Sequence, residues 1–287
     1  MPAVRDKTTS PSLSDQIATL GATFRIPTIA QELGPRLVQS GHADALDTVL
    51  EVFEMERQDR HERRIERLRR ASNLPAGKTF ETMNLKRLPP KLVHTLQELA
   101  RGDFPGQAEN VLAFGPPGTG KTHAASALGH ALLQRGYSVY YTPTFRLVQE
   151  LLAAKRDLAL PRALRKLDLF EVLILDDIGY VQQNAEEVEV LFTLLAERYE
   201  RRSLVVTSNL VFSQWDQIFK NPLTTAAAID RLVHHAVILE FNVASYRTEQ
   251  AKARKQAAPA TAPAEEAGGG DGPAGTQAAL RPPPGLA

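Results

Sequence analysis

The chain has 287 residues, 43% of them hydrophobic and 23% charged, enough for one sizeable core plus a smaller appendage. Its 34 Lys and Arg nearly balance 33 Asp and Glu, so only the distribution of charge, not its sum, can point to a partner. The absence of cysteine excludes disulfides, thiolate metal sites and a cysteine nucleophile. No apolar run approaches the roughly 20 residues that span a bilayer, and the start MPAVRDKTTSPS has no signal-peptide core. A cytoplasmic protein with no membrane contact is expected.

In chain order, residues 1–11 are polar and read as flexible. Ser12 and Asp15 resemble a capping box, followed by Leu13, Ile17 and Leu20 at helical spacing. Pro27, Gly34, Pro35 and Gly41 predict that 27–41 breaks into short helices. Leu46, Val49, Leu50 and Phe53 give an apolar helix stripe, and the helix is expected to run on through solvent beyond Glu54. Residues 12–70 thus form a small helical N-terminal domain, a candidate for DNA or partner binding. Residues 71–90, with Pro75, Gly77, Pro89 and Pro90, read as a linker. The segment 91–250 opens with an amphipathic helix (Leu92, Val93, Leu96, Leu99). Strands are then predicted at Val111–Phe114, Tyr137–Tyr141, Val172–Asp176, Leu204–Ser208 and Val237–Phe241. Helices are predicted between them at about 121–135, 144–155, 185–200 and 225–235. This alternation predicts an α/β fold, a parallel sheet with flanking helices. The Ala/Pro/Gly-rich segment 251–287 reads as a disordered tail, which leaves no room for a C-terminal helical lid.

The chemistry concentrates where strands give way to loops. Gly115, Pro116, Pro117, Gly118, Thr119, Gly120, Lys121 and Thr122 form a complete Walker A loop between a strand and a helix. Its glycines let successive N–H groups turn towards phosphate oxygens, and the helix N-terminus adds partial positive charge. Lys121 is expected on the β- and γ-phosphates of ATP and Thr122 on Mg²⁺. Leu173-Ile-Leu-Asp-Asp-Ile-Gly179 reads as a Walker B strand delivering two carboxylates at its C-terminal end. Asp176 is expected to serve the metal and Asp177 to polarise the attacking water. The Walker pair resembles that of AAA+ ATPases, many of which have Glu, one methylene longer, where Asp177 stands; the resemblance implies slower hydrolysis. The strand at 137–141 separates the two motifs in sequence, which predicts one extra strand between the motif strands in the sheet. Asn209, after Leu204–Ser208, is either a water-orienting sensor amide or a turn asparagine. Arg231, in Ala228-Ile-Asp-Arg-Leu-Val-His234, reads by itself as a helix-surface arginine in an ion pair with Asp230 or a neighbour; the segment resembles box VII of AAA+ proteins, which implies an arginine finger reaching the ATP of a neighbouring subunit.

These motifs resemble the AAA+ branch of P-loop ATPases. Gly-Pro-Pro-Gly-Thr-Gly-Lys-Thr-His, Ile-Leu-Asp-Asp-Ile-Gly-Tyr, Thr-Ser-Asn, Ile-Asp-Arg-Leu-Val-His-His and the closing Ser245-Tyr-Arg247 are together similar to the IstB family of transposition helper ATPases. The DnaC helicase loaders are close relatives and supply the alternative reading. Tyr180, the Phe212–Trp215 segment and the double histidine favour the IstB side. The resemblance implies ATP and Mg²⁺ as cofactors, self-assembly on double-stranded DNA and recruitment of a transposase. A third possibility is an ATP-gated assembly switch that hardly turns over.

Two basic segments are candidates for the DNA. Arg57, Arg60, His61, Arg64 and Arg67 share one helix face, although i, i+4 acid–base pairs there equally suit a solvated helix. Lys155, Arg156, Arg162, Arg165 and Lys166 precede the Walker B strand. No base-reading motif is present, so binding is expected to be largely sequence-independent.

Overall fold

The structure, a computed structural model, describes residues 11–180, 184–219, 221–246 and 248–249. Residues 1–10 of the expected loose start (1–11) and the expected tail (251–287) lie outside the described residues. The described residues up to Tyr246 form one compact unit. No helix among the described residues is long and apolar enough to cross a membrane.

Helices α1 (Leu13–Thr23), α2 (Pro27–Gln39) and α3 (Ala45–Ala71) open the chain. The capping box forms: Asp15 N–H donates to Ser12 Oγ and Ser12 N–H to Asp15 Oδ2, each at 3.2 Å. The expected break within 27–41 does not occur. Pro27 sits in the first turn of α2, where its missing N–H costs nothing, and Pro35 is carried inside the helix. Gly34 is needed there for contact rather than for bending: a Cβ on it would lie 2.1 Å from Ser14 Oγ of α1. Close α1–α2 packing therefore outweighs the local breaking tendency. Helix α3 starts over α1 and ends against the sheet, where Ser72 O accepts from Tyr141 N–H at 2.7 Å. Asn73 Nδ2 donates to Tyr141 O at 3.0 Å.

The remaining elements are α4 (Pro90–Leu99), β1 (Asn110–Phe114), α5 (Lys121–Gln134), β2 (Val139–Pro143), α6 (Thr144–Arg156), α7 (Leu160–Asp168), β3 (Val172–Asp176), α8 (Ala185–Arg198), β4 (Ser203–Ser208), α9 (Asp216–Phe219), α10 (Pro222–Val233) and β5 (Ala236–Glu240). All strand pairings are parallel, in the order β2-β3-β4-β1-β5. One strand does lie between the two motif strands, and it is β4; β2, which separates them in sequence, is at the edge. Strand β2 begins two residues later than expected because Gly136 and Tyr137 cap α5, donating to Leu133 O and Leu132 O at 2.8 and 3.1 Å. Helix α7 was not foreseen.

The strands alternate strictly between two apolar layers. Leu112, Leu173, Leu175, Leu204 and Val206 face α6, α8 and α10, while Val111, Ile174 and Val205 face α4 and α5. A sheet buried on both faces needs apolar residues at both parities, hence the near-continuous hydrophobic runs. Strand β5 ends at Glu240, and no lid domain stands among the described residues after it.

Candidate active site

The loop after β1 is shaped by three glycines at positive φ: Gly115 (+148°), Gly118 (+81°) and Gly120 (+104°). Gly115 is required twice over, because a Cβ there would lie 2.5 Å from Phe241 O. Phe114, just before the loop, packs on Phe212 at 4.5 Å and on the fully buried Trp215 at 6.1 Å between ring centroids. Lys121 is buried at the first position of α5, with Nζ donating to Gly115 O at 2.6 Å and Pro116 O at 2.9 Å. Charged phosphate oxygens are stronger acceptors for this ammonium than the neutral carbonyls of the loop.

Asp176 ends β3 and is only 8% exposed. Three hydroxyls surround its carboxylate. Thr122 and Thr207 donate to Oδ1 at 2.9 and 2.6 Å, and Tyr141, from the neighbouring β2, donates to Oδ2 at 2.7 Å. Burial first, then the hydrogen bond and charge of Asp176, push the Tyr141 hydroxyl well above the ordinary tyrosine range, so it stays a donor. Thr207 also accepts from Asp177 N–H at 2.8 Å. One β4 hydroxyl therefore fixes both carboxylate residues at once. Asp177 itself sits at φ +62°, a left-handed conformation that aspartate tolerates better than most residues. The oxygen-only set of Thr122 and Asp176 suits Mg²⁺, which prefers hard oxygen ligands.

Asn209 lies just beyond β4, with Oδ1 buried and without a hydrogen-bond partner among the described residues. Buried acceptors are seldom left unpaired, which sets this oxygen apart from the other polar atoms of the strand end. Gly179 makes room for it: a Cβ there would lie 2.1 Å from Asn209 Oδ1.

Beside the loop is a cavity of about 290 Å³, bounded by Gly118–His123 on one side and by Met83, Arg87 and Tyr246 on the other. Tyr246 N–H donates to Gly118 O at 3.0 Å, and the Arg87 guanidinium lies 5.1 Å from the Tyr246 ring centroid. The segment expected to be a linker reaches this wall, with Thr79 O 2.9 Å and Thr82 Oγ1 3.2 Å from His123 Nε2. Sequence reasoning assigned no site role to Tyr141, Thr207, Gly179 or this wall. Only the Ser-Tyr-Arg ending carried any signal.

Arg231 makes no ion pair with Asp230. It donates to Ala227 O at 3.0 Å, and its guanidinium lies 4.8 Å from the Phe192 ring centroid. Neither contact is with the phosphate loop of its own chain.

The basic candidates divide sharply. In α3, Arg57 pairs with Glu54. Arg60 pairs with Glu56 at 2.6 Å and covers Phe24 at 4.5 Å, and Arg64 donates to Gly136 O at 3.0 Å. Arg67 has no ion pair among the described residues. Lys155 and Arg156 pair with Glu189 and Glu186 of α8 at 2.6 and 3.8 Å. Arg162, Arg165 and Lys166 of α7 are exposed, with no ion pair among the described residues.

A parallel sheet in the order 2-3-4-1-5, with a glycine-rich loop, paired carboxylates and a polar strand end gathered at the C-terminal edge, defines a P-loop ATPase of the AAA+ class. Solved structures share the fold. The DnaA of Aquifex aeolicus bound to AMPPCP superposes with a TM-score of 0.51 at 18% identity, over 64% of this chain and 56% of that one. DnaI superposes at 0.50 with 20% identity, over 59% and 95%. At the level of sequence the family is unambiguous: the chain belongs to the IstB-like ATP binding proteins, whose family model matches residues 27–255. An insertion sequence ATP-binding protein of Sinorhizobium fredii is 42% identical over 237 residues, 81% of this chain and 79% of that one. The IS21 ATP-binding protein of Pseudomonas aeruginosa is 38% identical over 69% and 75%. The chain is accordingly an ATPase.

Proposed function

We propose that this ATPase is a DNA-binding regulator of transposition that assembles on target DNA with ATP and recruits a transposase. In this reading Gly115–Thr122 cradle the triphosphate, and Thr122 and Asp176 hold Mg²⁺. That ion supplies charge neutralisation at the phosphates when bound. Asp177 and Asn209 hold and polarise the attacking water, with Asn209 Oδ1 as the fixed acceptor. Arg231 acts on the ATP of a neighbouring copy; the lack of a contact with its own phosphate loop supports that direction. Of the two basic segments we place the DNA on α7.

The observation that carries the DNA reading is the exposed set Arg162, Arg165 and Lys166, without an ion pair among the described residues, on the same chain as a complete ATP site. In the α3 stripe Arg57 and Arg60 already pair with carboxylates and Arg64 with a backbone carbonyl, which leaves Arg67 without an ion pair among the described residues; cations so engaged have less to offer a phosphate backbone. Sequence relatives named for insertion sequences supply the transposition context. The likeness to DnaI is one of fold alone and lends the helicase-loader alternative no weight. The test is strand transfer by an insertion-sequence transposase, with and without the ATPase. Stimulation that needs ATP and is lost in Lys121→Ala supports the reading; stimulation of a replicative helicase's loading instead would replace it.

A further inference from the structure

At the opposite end of the sheet from the ATP site, three metal-binding side chains converge. Glu200 lies in the turn before β4, and His234 and His235 lie in the turn before β5. In a parallel sheet these turns share the N-terminal edge of the strands, whereas Gly115, Asp176 and Asn209 mark the C-terminal edge. We propose that Glu200, His234 and His235 form a site for a divalent transition-metal ion of the zinc class.

The backbone explains why the groups meet. Helix α10 ends at Val233, and His234 keeps helical angles (φ −48°, ψ −41°). Successive side chains there turn by about 100° instead of the 180° of a strand, which lets adjacent imidazoles share a side, with ring centroids 4.2 Å apart. Glu200 adopts φ +54° after α8 and turns towards them. Its Oε1 lies 3.5 Å from His234 Nδ1 and 3.9 Å from His235 Nε2. One ligand atom from each residue falls within 4.8 Å of the others. A tetrahedral zinc ion with bonds of about 2.0–2.1 Å places its ligand atoms about 3.3 Å apart. Small torsions of three exposed side chains close that difference.

The donor chemistry selects the ion. Two neutral imidazoles and one carboxylate favour zinc, nickel or copper over magnesium or calcium, which take oxygen. The Tyr199 hydroxyl hydrogen-bonds His234 Nδ1 at 2.9 Å; an ion bound at that nitrogen displaces it, leaving the hydroxyl to hydrogen-bond a water that completes the coordination. The nearby Arg201 is already offset by Asp168 at 2.8 Å and Glu197 at 3.4 Å, so it repels an incoming cation less. A bound ion ties the end of α10, the helix that carries Arg231, to the end of α8.

The experiment uses the full chain without a histidine tag, stripped of metal by chelation, and Co(II) as the spectroscopic probe. We expect one Co(II) per chain with a visible absorption typical of low-coordinate nitrogen ligation. Zn(II) should displace it and excess Mg(II) should not. Zn(II) should also raise the melting temperature and slow amide exchange in the last turn of α10. His235→Ala and Glu200→Gln should each weaken Zn(II) binding at least about tenfold, since loss of even an outer-shell partner of a ligand costs about 10–100-fold, and His234→Ala/His235→Ala should abolish it. These side chains are exposed, so melting in chelator should match the parent protein and show that the variants fold. An octahedral, buffer-like Co(II) spectrum overturns the site, as does unchanged Zn(II) affinity in the double variant. ATP binding is indifferent to either result.

Discussion

Gly179→Ala puts a methyl group where Asn209 Oδ1 now sits, at a separation of 2.1 Å. An ordinary contact exceeds 3 Å, so the amide must retreat by about 1 Å, a misplacement able to cost on the order of 10²-fold in rate. The stability cost is modest, because Asn209 Oδ1 has no hydrogen bond among the described residues to lose. Crowding against Leu210, whose Cγ would lie 3.1 Å away, sets it at about 1–2 kcal/mol. The variant should therefore fold and bind a fluorescent ATP analogue normally, while steady-state phosphate release falls by about two orders of magnitude. A double-variant cycle isolates the cause: in an Asn209→Ala background, Gly179→Ala should have little further effect on turnover. Turnover close to the parent's in Gly179→Ala, or an undiminished effect in the Asn209→Ala background, refutes the placement of Asn209 as the water-orienting group.

Thr207→Val removes the hydroxyl shared by Asp176 Oδ1 and Asp177 N–H. It should destabilise the fold by about 2–3 kcal/mol in urea titration and slow hydrolysis more than it weakens ATP binding. Asp177→Asn should retain nucleotide and lose turnover, whereas Asp176→Ala should lose both; equal loss of affinity in the two variants contradicts the division of roles. Arg231→Ala should bind ATP and hardly hydrolyse it, and mixing it with Lys121→Ala should restore part of the activity as protein concentration rises. No gain in co-assembled mixtures rules out action between subunits. Arg162→Ala/Arg165→Ala/Lys166→Ala should flatten the log–log salt dependence of duplex binding by up to about 2.7 units, at about 0.9 per phosphate contact. Replacing Lys155 and Arg156 should change it less, since both already pair with glutamates.

The phosphate loop and the Walker B strand were legible in the sequence because each is a contiguous run whose function requires contiguity. The loop needs glycine at fixed offsets, and β3 needs unbroken burial up to Asp176. The support of Asp176 was not legible: Tyr141 and Thr207 reach it from β2 and β4, and only the strand order makes them neighbours. Gly179 showed the same limit, since its purpose is the space occupied by a residue 30 positions later. In α2 the local signal misled, because Gly34 and Pro35 look like breakers until α1 is packed against them. The basic segments looked alike in sequence; the carboxylates of α8, distant along the chain, separated Lys155 and Arg156 from the α7 cations.

The most direct test of the account is the affinity for a fluorescent, sequence-neutral DNA duplex, measured by anisotropy with ATP, with ADP and without nucleotide, for the parent chain and for Lys121→Ala. The parent should bind tightly with ATP only and with little dependence on duplex sequence, and Lys121→Ala should show no ATP-dependent gain. Equal affinity in all nucleotide states, or the same ATP response in Lys121→Ala, contradicts it.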